Sequence, residues 1–155
     1  MGTTVEELVE IEDIRKLRVM WSHYYDSGDV ENLANLFTED GVCEFSEKYG
    51  GHWVGRDQIR DNYYKYAPPE TPSYSGFHAA TNVWINVLSA TEAVGRWYIL
   101  DFNFKDADTN PVSLFGLYDD NYRKVDGEWK IQRANLHFLW PAREADGLGW
   151  PSHLK

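Results

Sequence analysis

The chain has 155 residues, a formal net charge of -10 and one cysteine, Cys43. That length suits one domain, the acidic balance disfavours phosphate backbones and anionic membranes, and one thiol forms no internal disulfide. No stretch approaches the ~20 apolar residues of a membrane span, and Met1 to Glu7 lack the basic and apolar parts of a secretion signal, so a cytoplasmic protein is expected. Residues 5 to 25 read as a helix, because Ile14, Leu17, Trp21 and Tyr24 (or Tyr25) follow the spacing of one buried face. Asp13, Arg15, Lys16 and Arg18 are expected on its wet side. Gly28 suits the end of this helix, and Asp29 the cap of a short second one with Val30, Leu33, Leu36 and Phe37 inward. Thr38 to Gly41 reads as a turn and Val42 to Phe45 as a short strand. Tyr49-Gly50-Gly51 is a second turn, followed by a return strand at His52 to Val54. A third helix covers Arg56 to Tyr66, with Ile59 and Tyr63 on its apolar face. Pro68, Pro69 and Pro72 exclude regular structure until about residue 74.

The second half is strand-like: Phe77 to Leu88, Ala93 to Phe104, Val112 to Val125 and Glu128 to Trp140. Asp126-Gly127 is a two-residue hairpin signal. Strands this much longer than the usual five or six residues must twist, which suits a curved sheet. Helices first and long antiparallel strands after give an α+β order, with a hollow where the helices leave the sheet open. The domain is taken as residues 1 to 141, and residues 142 to 155 as a tail or lid. With 7 Trp, 10 Tyr and 7 Phe, there are more rings than core positions, so some are expected around a pocket or interface. His23, His52, His78, His137 and His153 show no metal-ligand spacing, and the sequence has no phosphate loop and no nucleophile elbow. No metal or organic cofactor is therefore expected, and Cys43 reads as core.

Several segments carry a family resemblance. They are Tyr24-Tyr25-Asp26-Ser27-Gly28-Asp29, Leu36-Phe37-Thr38-Glu39-Asp40-Gly41, Gly55-Arg56-Asp57-Gln58-Ile59, His78-Ala79-Ala80-Thr81-Asn82, Gly95-Arg96-Trp97-Tyr98 and the stretch Tyr122 to Ile131. Over roughly residues 8 to 140 the chain resembles the SnoaL-like branch of the nuclear transport factor 2-like superfamily. That branch includes scytalone dehydratase, bile-acid dehydratases, a hexachlorocyclohexane dehydrochlorinase and polyketide cyclases. The resemblance implies a cone-shaped α+β fold, in which a curved, mostly antiparallel sheet and three N-terminal helices enclose a pocket. Tyr25-Asp26, His78 and Asp101 match catalytic positions of the dehydratases. Two departures stand out: Trp21 holds the place of a tyrosine one helical turn before the aspartate, and Asp101 and Asn103 lie where the scytalone enzyme has a second histidine.

Strand alternation puts Asp101 on one face with Trp97, Ile99 and Asn103, and His78 with Ala80, Asn82 and Trp84. If both faces are concave, they converge with Asp26 on one cavity. Loss of water from a β-hydroxy carbonyl compound needs a base for a carbon-bound proton and an acid for the departing hydroxyl. A histidine beside a carboxylate supplies both near neutral pH. Asp26 would orient the ring of His78, and Tyr24 or Tyr25 would donate to the enolate-like oxygen. Trp21, Tyr24, Phe45, Asn82, Asp119 and Asn135 are the expected substrate contacts, with His137 a further wall candidate. Structural readings stand beside these: Asp26 as a helix terminator, Asp101 paired with Arg133, and Trp21, Phe45 and Trp84 as core.

The leading expectation is a cofactor-independent dehydratase acting on a small, hydrophobic cyclic or polycyclic hydroxy-ketone. The alternatives are a ketosteroid-isomerase-like isomerase or polyketide cyclase, and a ligand-binding module in which Asp26 and His78 do not meet. The row Tyr98, Leu100 and Phe102 makes the outer sheet face apolar too, so a homodimer or homotrimer through that face is expected.

Overall fold

The computed structural model describes residues 3–104, 110–145 and 148–149. Its helices are α1 (Val5–Ser27), α2 (Val30–Asn35) and α3 (Arg56–Tyr66). Its strands are β1 (Phe37–Glu44), β2 (His52–Val54), β3 (Gly76–Val87), β4 (Glu92–Asn103), β5 (Val112–Val125) and β6 (Glu128–Trp140). They form one sheet in the order β2-β1-β6-β5-β4-β3, antiparallel throughout except where β1 runs parallel to β6. Among the described residues no helix is long and apolar enough to cross a membrane.

Local chemistry explains the element ends. The Thr4 side chain accepts from the Glu7 N–H at the start of α1, and Gly28 closes the helix in the left-handed region at φ 78°. Asp29 caps α2 through the Asn32 N–H. Asp126 and Gly127 both have positive φ, 51° and 83°, as a tight hairpin turn between right-twisted strands requires. The core lies between α1, α2, α3 and the inner sheet face, around Ile14, Leu33, Phe37, Ile59, Trp97 and Ile131.

Three expectations need correction. Thr38 to Gly41 is not a turn: these residues lie within β1, whose register with β6 slips between Phe37 and Val42, and Phe37, buried as expected, opens that strand instead of extending α2. Arg18 is not on the wet side. The buried face of α1 is broader than one stripe of apolar residues, and Arg18 lies in it at 1% exposure. Its guanidinium donates to both carboxylate oxygens of Asp120 at 2.7 and 2.6 Å and stacks on the Tyr118 ring, 3.8 Å from the centroid. The Tyr122 hydroxyl donates to Asp120 at 2.8 Å and accepts from the Trp97 indole at 2.8 Å, so the buried carboxylate is well satisfied.

The third correction concerns β3. Its register with β4 slips between Thr81 and Trp84, with Asn82 in the left-handed region at φ 50°. The extra residue inverts the alternation. His78 and Ala80 share the inner face with Ile85 and Val87, whereas Trp84 stands opposite Arg96 on the outer face.

Candidate active site

Asp26 occupies the last turn of α1, and its carbonyl accepts from the Tyr74 N–H at 2.6 Å. That bond ties the loop before β3 to the helix end. His78 follows near the start of β3, and Asp101 stands directly opposite it on β4. One Asp26 oxygen accepts from the His78 backbone N–H at 3.1 Å, and the other lies 2.6 Å from the imidazole Nδ1. A carboxylate only accepts, so Nδ1 carries its proton and Nε2 is left for chemistry. Nε2 faces Asp101 Oδ1 at 3.5 Å. The imidazole is thus held between two carboxylates, with side-chain exposures of 5% for Asp26, 12% for His78 and 23% for Asp101.

Burial pushes the Asp101 carboxyl above the ordinary aspartate value; His78 pulls it down, and Asp26 pushes it further up. The Tyr25 ring lies 4.3 Å from the imidazole, centroid to centroid. Its hydroxyl is held well above its usual value by burial and then by Asp101, so it remains a proton-bearing donor. Burial likewise pushes up the Cys43 thiol, which is fully buried and no nucleophile.

Two cavities meet at these groups. An outer lobe of about 240 Å³ is polar, with Asp26, Thr71, Ser75, Asn103 and Ser113 in its wall. An inner lobe of about 170 Å³ is walled by rings, among them Trp21, Phe45, Tyr49, Trp53 and Tyr118. Tyr25, Tyr66, His78 and Asp101 border both lobes. Among the described residues no cluster of three or more His, Cys, Asp and Glu side chains is arranged to hold a metal ion.

The structure therefore brings together Tyr25, Asp26, His78 and Asp101, and places Trp21 and Phe45 on the inner wall. Four other expected contacts fall elsewhere. Tyr24 packs on the hydrophobic core and borders neither lobe, because Trp21 and Tyr25 take the pocket-facing turn positions of α1. Asn82 is exposed at the β3 bulge, where its amide oxygen accepts from the Thr81 hydroxyl. Asp119 and Asn135 pair with each other in register on the outer face, because the β5 alternation sends Leu114, Gly116, Tyr118 and Asp120 inward. There Arg96 grips Asp119 at 2.6 and 2.9 Å, and the His137 Nε2 lies 3.4 Å away. Arg133 pairs with Glu44 and Asn121 rather than with Asp101.

Sequence reasoning missed Tyr49, Trp53, Tyr63, Tyr66 and Tyr118 on the inner wall. Tyr118 was findable: once Trp97 is placed inward, the residue opposite it in an antiparallel pair is inward too. Tyr49 ends a three-residue 3-10 turn (Glu47–Tyr49) and Trp53 sits in a three-residue strand, both too short to carry a period.

A cone of helices closing on a curved sheet around a cavity is the architecture of nuclear transport factor 2-like proteins. The SnoaL-like domain model matches residues 6–135, and the chain belongs to that family. Among solved structures it is similar to a candidate scytalone dehydratase from Novosphingobium aromaticivorans, at 27% identity over 92% of this chain and 96% of that one, with a TM-score of 0.76. It is also similar to a protein of unknown function from Mycobacterium tuberculosis, at 28% identity over 89% and 76% of the two chains, TM-score 0.76. LinA, at 17% identity over 97% and 99% with a TM-score of 0.75, shares the fold.

Proposed function

We propose that this SnoaL-like protein is a cofactor-independent lyase, a dehydratase of a small cyclic or polycyclic hydroxy-ketone. The observation that carries the reading is the imidazole of His78 held between Asp26 and Asp101 where a polar and an aromatic lobe meet. An apolar ring suits the inner lobe, and the hydroxyl and carbonyl end suits the outer one. The His78 dyad with its carboxylates exchanges the two protons, and the Tyr25 hydroxyl donates to the oxygen that becomes enolate-like. Likeness to a candidate scytalone dehydratase supports the same class of chemistry. The test is a panel of monocyclic and bicyclic β-hydroxy ketones followed by enone absorbance. Wild type is expected to convert at least one, and His78→Ala to lose nearly all of that rate.

An isomerase or cyclase in the same pocket is the second reading. Asp101, pushed up by burial beside a protonated Tyr25, favours it, since enolate-forming isomerases pair such groups. A rate that survives in His78→Gln and fails in Asp101→Asn on a β,γ-unsaturated ketone would select it. For assembly, we propose a homodimer or homotrimer packed through the outer face, where Tyr98, Phe115 and Trp140 are exposed. Light scattering at micromolar concentration should then give two or three chain masses; a monomer contradicts it.

A further inference from the structure

The acid–base reading leaves open which group takes the carbon proton. We propose that Asp101 is the carbon base of this site, and that His78 works as the acid beside it. The inference rests on the reading of the cleft as an acid–base site.

The geometry favours this division. Asp26 occupies Nδ1 and the backbone N–H of His78, so the proton traffic of the ring passes through Nε2. Nε2 does not face open cavity alone: Asp101 Oδ1 stands 3.5 Å from it, fixed by direct cross-strand register. A lone pair on Nε2 facing an ionised oxygen is repulsive, so the His78–Asp101 pair holds one proton at rest. With that proton on Nε2, the imidazole has no lone pair with which to accept another. The remaining acceptor at the junction is the Asp101 carboxylate, which borders both lobes and lies among Tyr25, Ile99 and Leu114. A half-desolvated carboxylate is a stronger base than one in water, and burial holds this one above its ordinary value.

The step balances within the site. Asp101 takes the proton α to the carbonyl, and the C–H electron pair forms the new double bond. The C–O bond to the hydroxyl breaks, and the oxygen leaves as water with the Nε2 proton. The proton on Asp101 then returns to Nε2 across the same gap, which restores the resting pair with no outside reactant.

The experiment uses 5-nitrobenzisoxazole, whose ring opening to a coloured cyanophenolate needs a base and no acid. Wild type, Asp101→Asn and His78→Gln are compared in the full chain, with circular dichroism to confirm folding. Wild type should exceed the rate in buffer, and His78→Gln should exceed Asp101→Asn by about tenfold or more. The wild-type rate should rise with pH through a single step above the ordinary aspartate range, and that step should vanish in Asp101→Asn. If His78→Gln is the dead variant and Asp101→Asn keeps its rate, the base assignment falls while the acid–base site stands. If the probe binds to wild type without acceleration, both fall.

Discussion

The two faces of the sheet each carry a histidine near an aspartate, and only one of them makes a candidate active site. On the outer face His137 lies 3.4 Å from Asp119; on the inner face His78 lies 3.5 Å from Asp101. The distances hardly differ, but the surroundings do. Burial pushes Asp119 up, yet hydrogen bonds from His137 and Arg96 outweigh it and hold the carboxyl below its ordinary value. Burial raises the Asp101 carboxyl instead: no guanidinium faces it among the described residues, and the second carboxylate behind its histidine pushes it further up. A permanent cation turns one pair into structure; its absence beside a cavity leaves the other pair with a proton to move.

That contrast can be broken in several ways. Replacing His78 with Gln should lower turnover on any accepted hydroxy-ketone by about 10²- to 10⁴-fold, whereas His137→Gln should leave it within about twofold. Steady-state kinetics on the two variants checks this, and equal losses would erase the distinction. Arg18→Met removes one partner of the buried pair with Asp120 and should cost about 3–5 kcal/mol of stability, read from urea unfolding midpoints. Asp119→Asn should cost on the order of 1 kcal/mol at neutral pH, as expected for a well-formed, partly buried ion pair.

Asp101→Asn should have the opposite sign to Asp119→Asn. A carboxyl whose folded pKa is raised costs stability above that pKa, and the cost disappears below the ordinary aspartate value. The asparagine variant should therefore be more stable than wild type at neutral pH and converge with it in acid. Asp119, held low, contributes stability above the ordinary value and loses it as pH falls through its folded pKa. Thermal unfolding of both variants across pH would show two curves diverging in opposite directions from wild type; parallel curves would contradict the account.

Much of this fold was legible because long periodic elements announce themselves. The first helix, the four long strands and the Asp126-Gly127 turn all lie where spacing and turn chemistry put them. Most of the errors share one origin, which is that a period is read along one strand while facing is decided between strands. The extra residue at Asn82 inverted everything after it in β3, and the β5 register turned Asp119 out and Asp120 in. Arg18 looks like a surface residue until its partner arrives from β5. Asp26, His78 and Asp101 were found because the family resemblance marked them, and the His78–Asp101 pair lies outside the β3–β4 register slip, on the side of the strand pair nearer Gly76 and Asn103.

The central claim is that Asp26 holds the His78 imidazole ready for proton transfer inside the cleft. Its most direct test is the conversion of 3-hydroxycyclohexanone to the enone by wild type and by Asp26→Asn, with binding followed separately by calorimetry. Binding within about threefold of wild type together with at least about 100-fold slower enone formation is the predicted result. Equal rates in the two proteins, or a wild type that binds the ketone and never dehydrates it, would contradict the account.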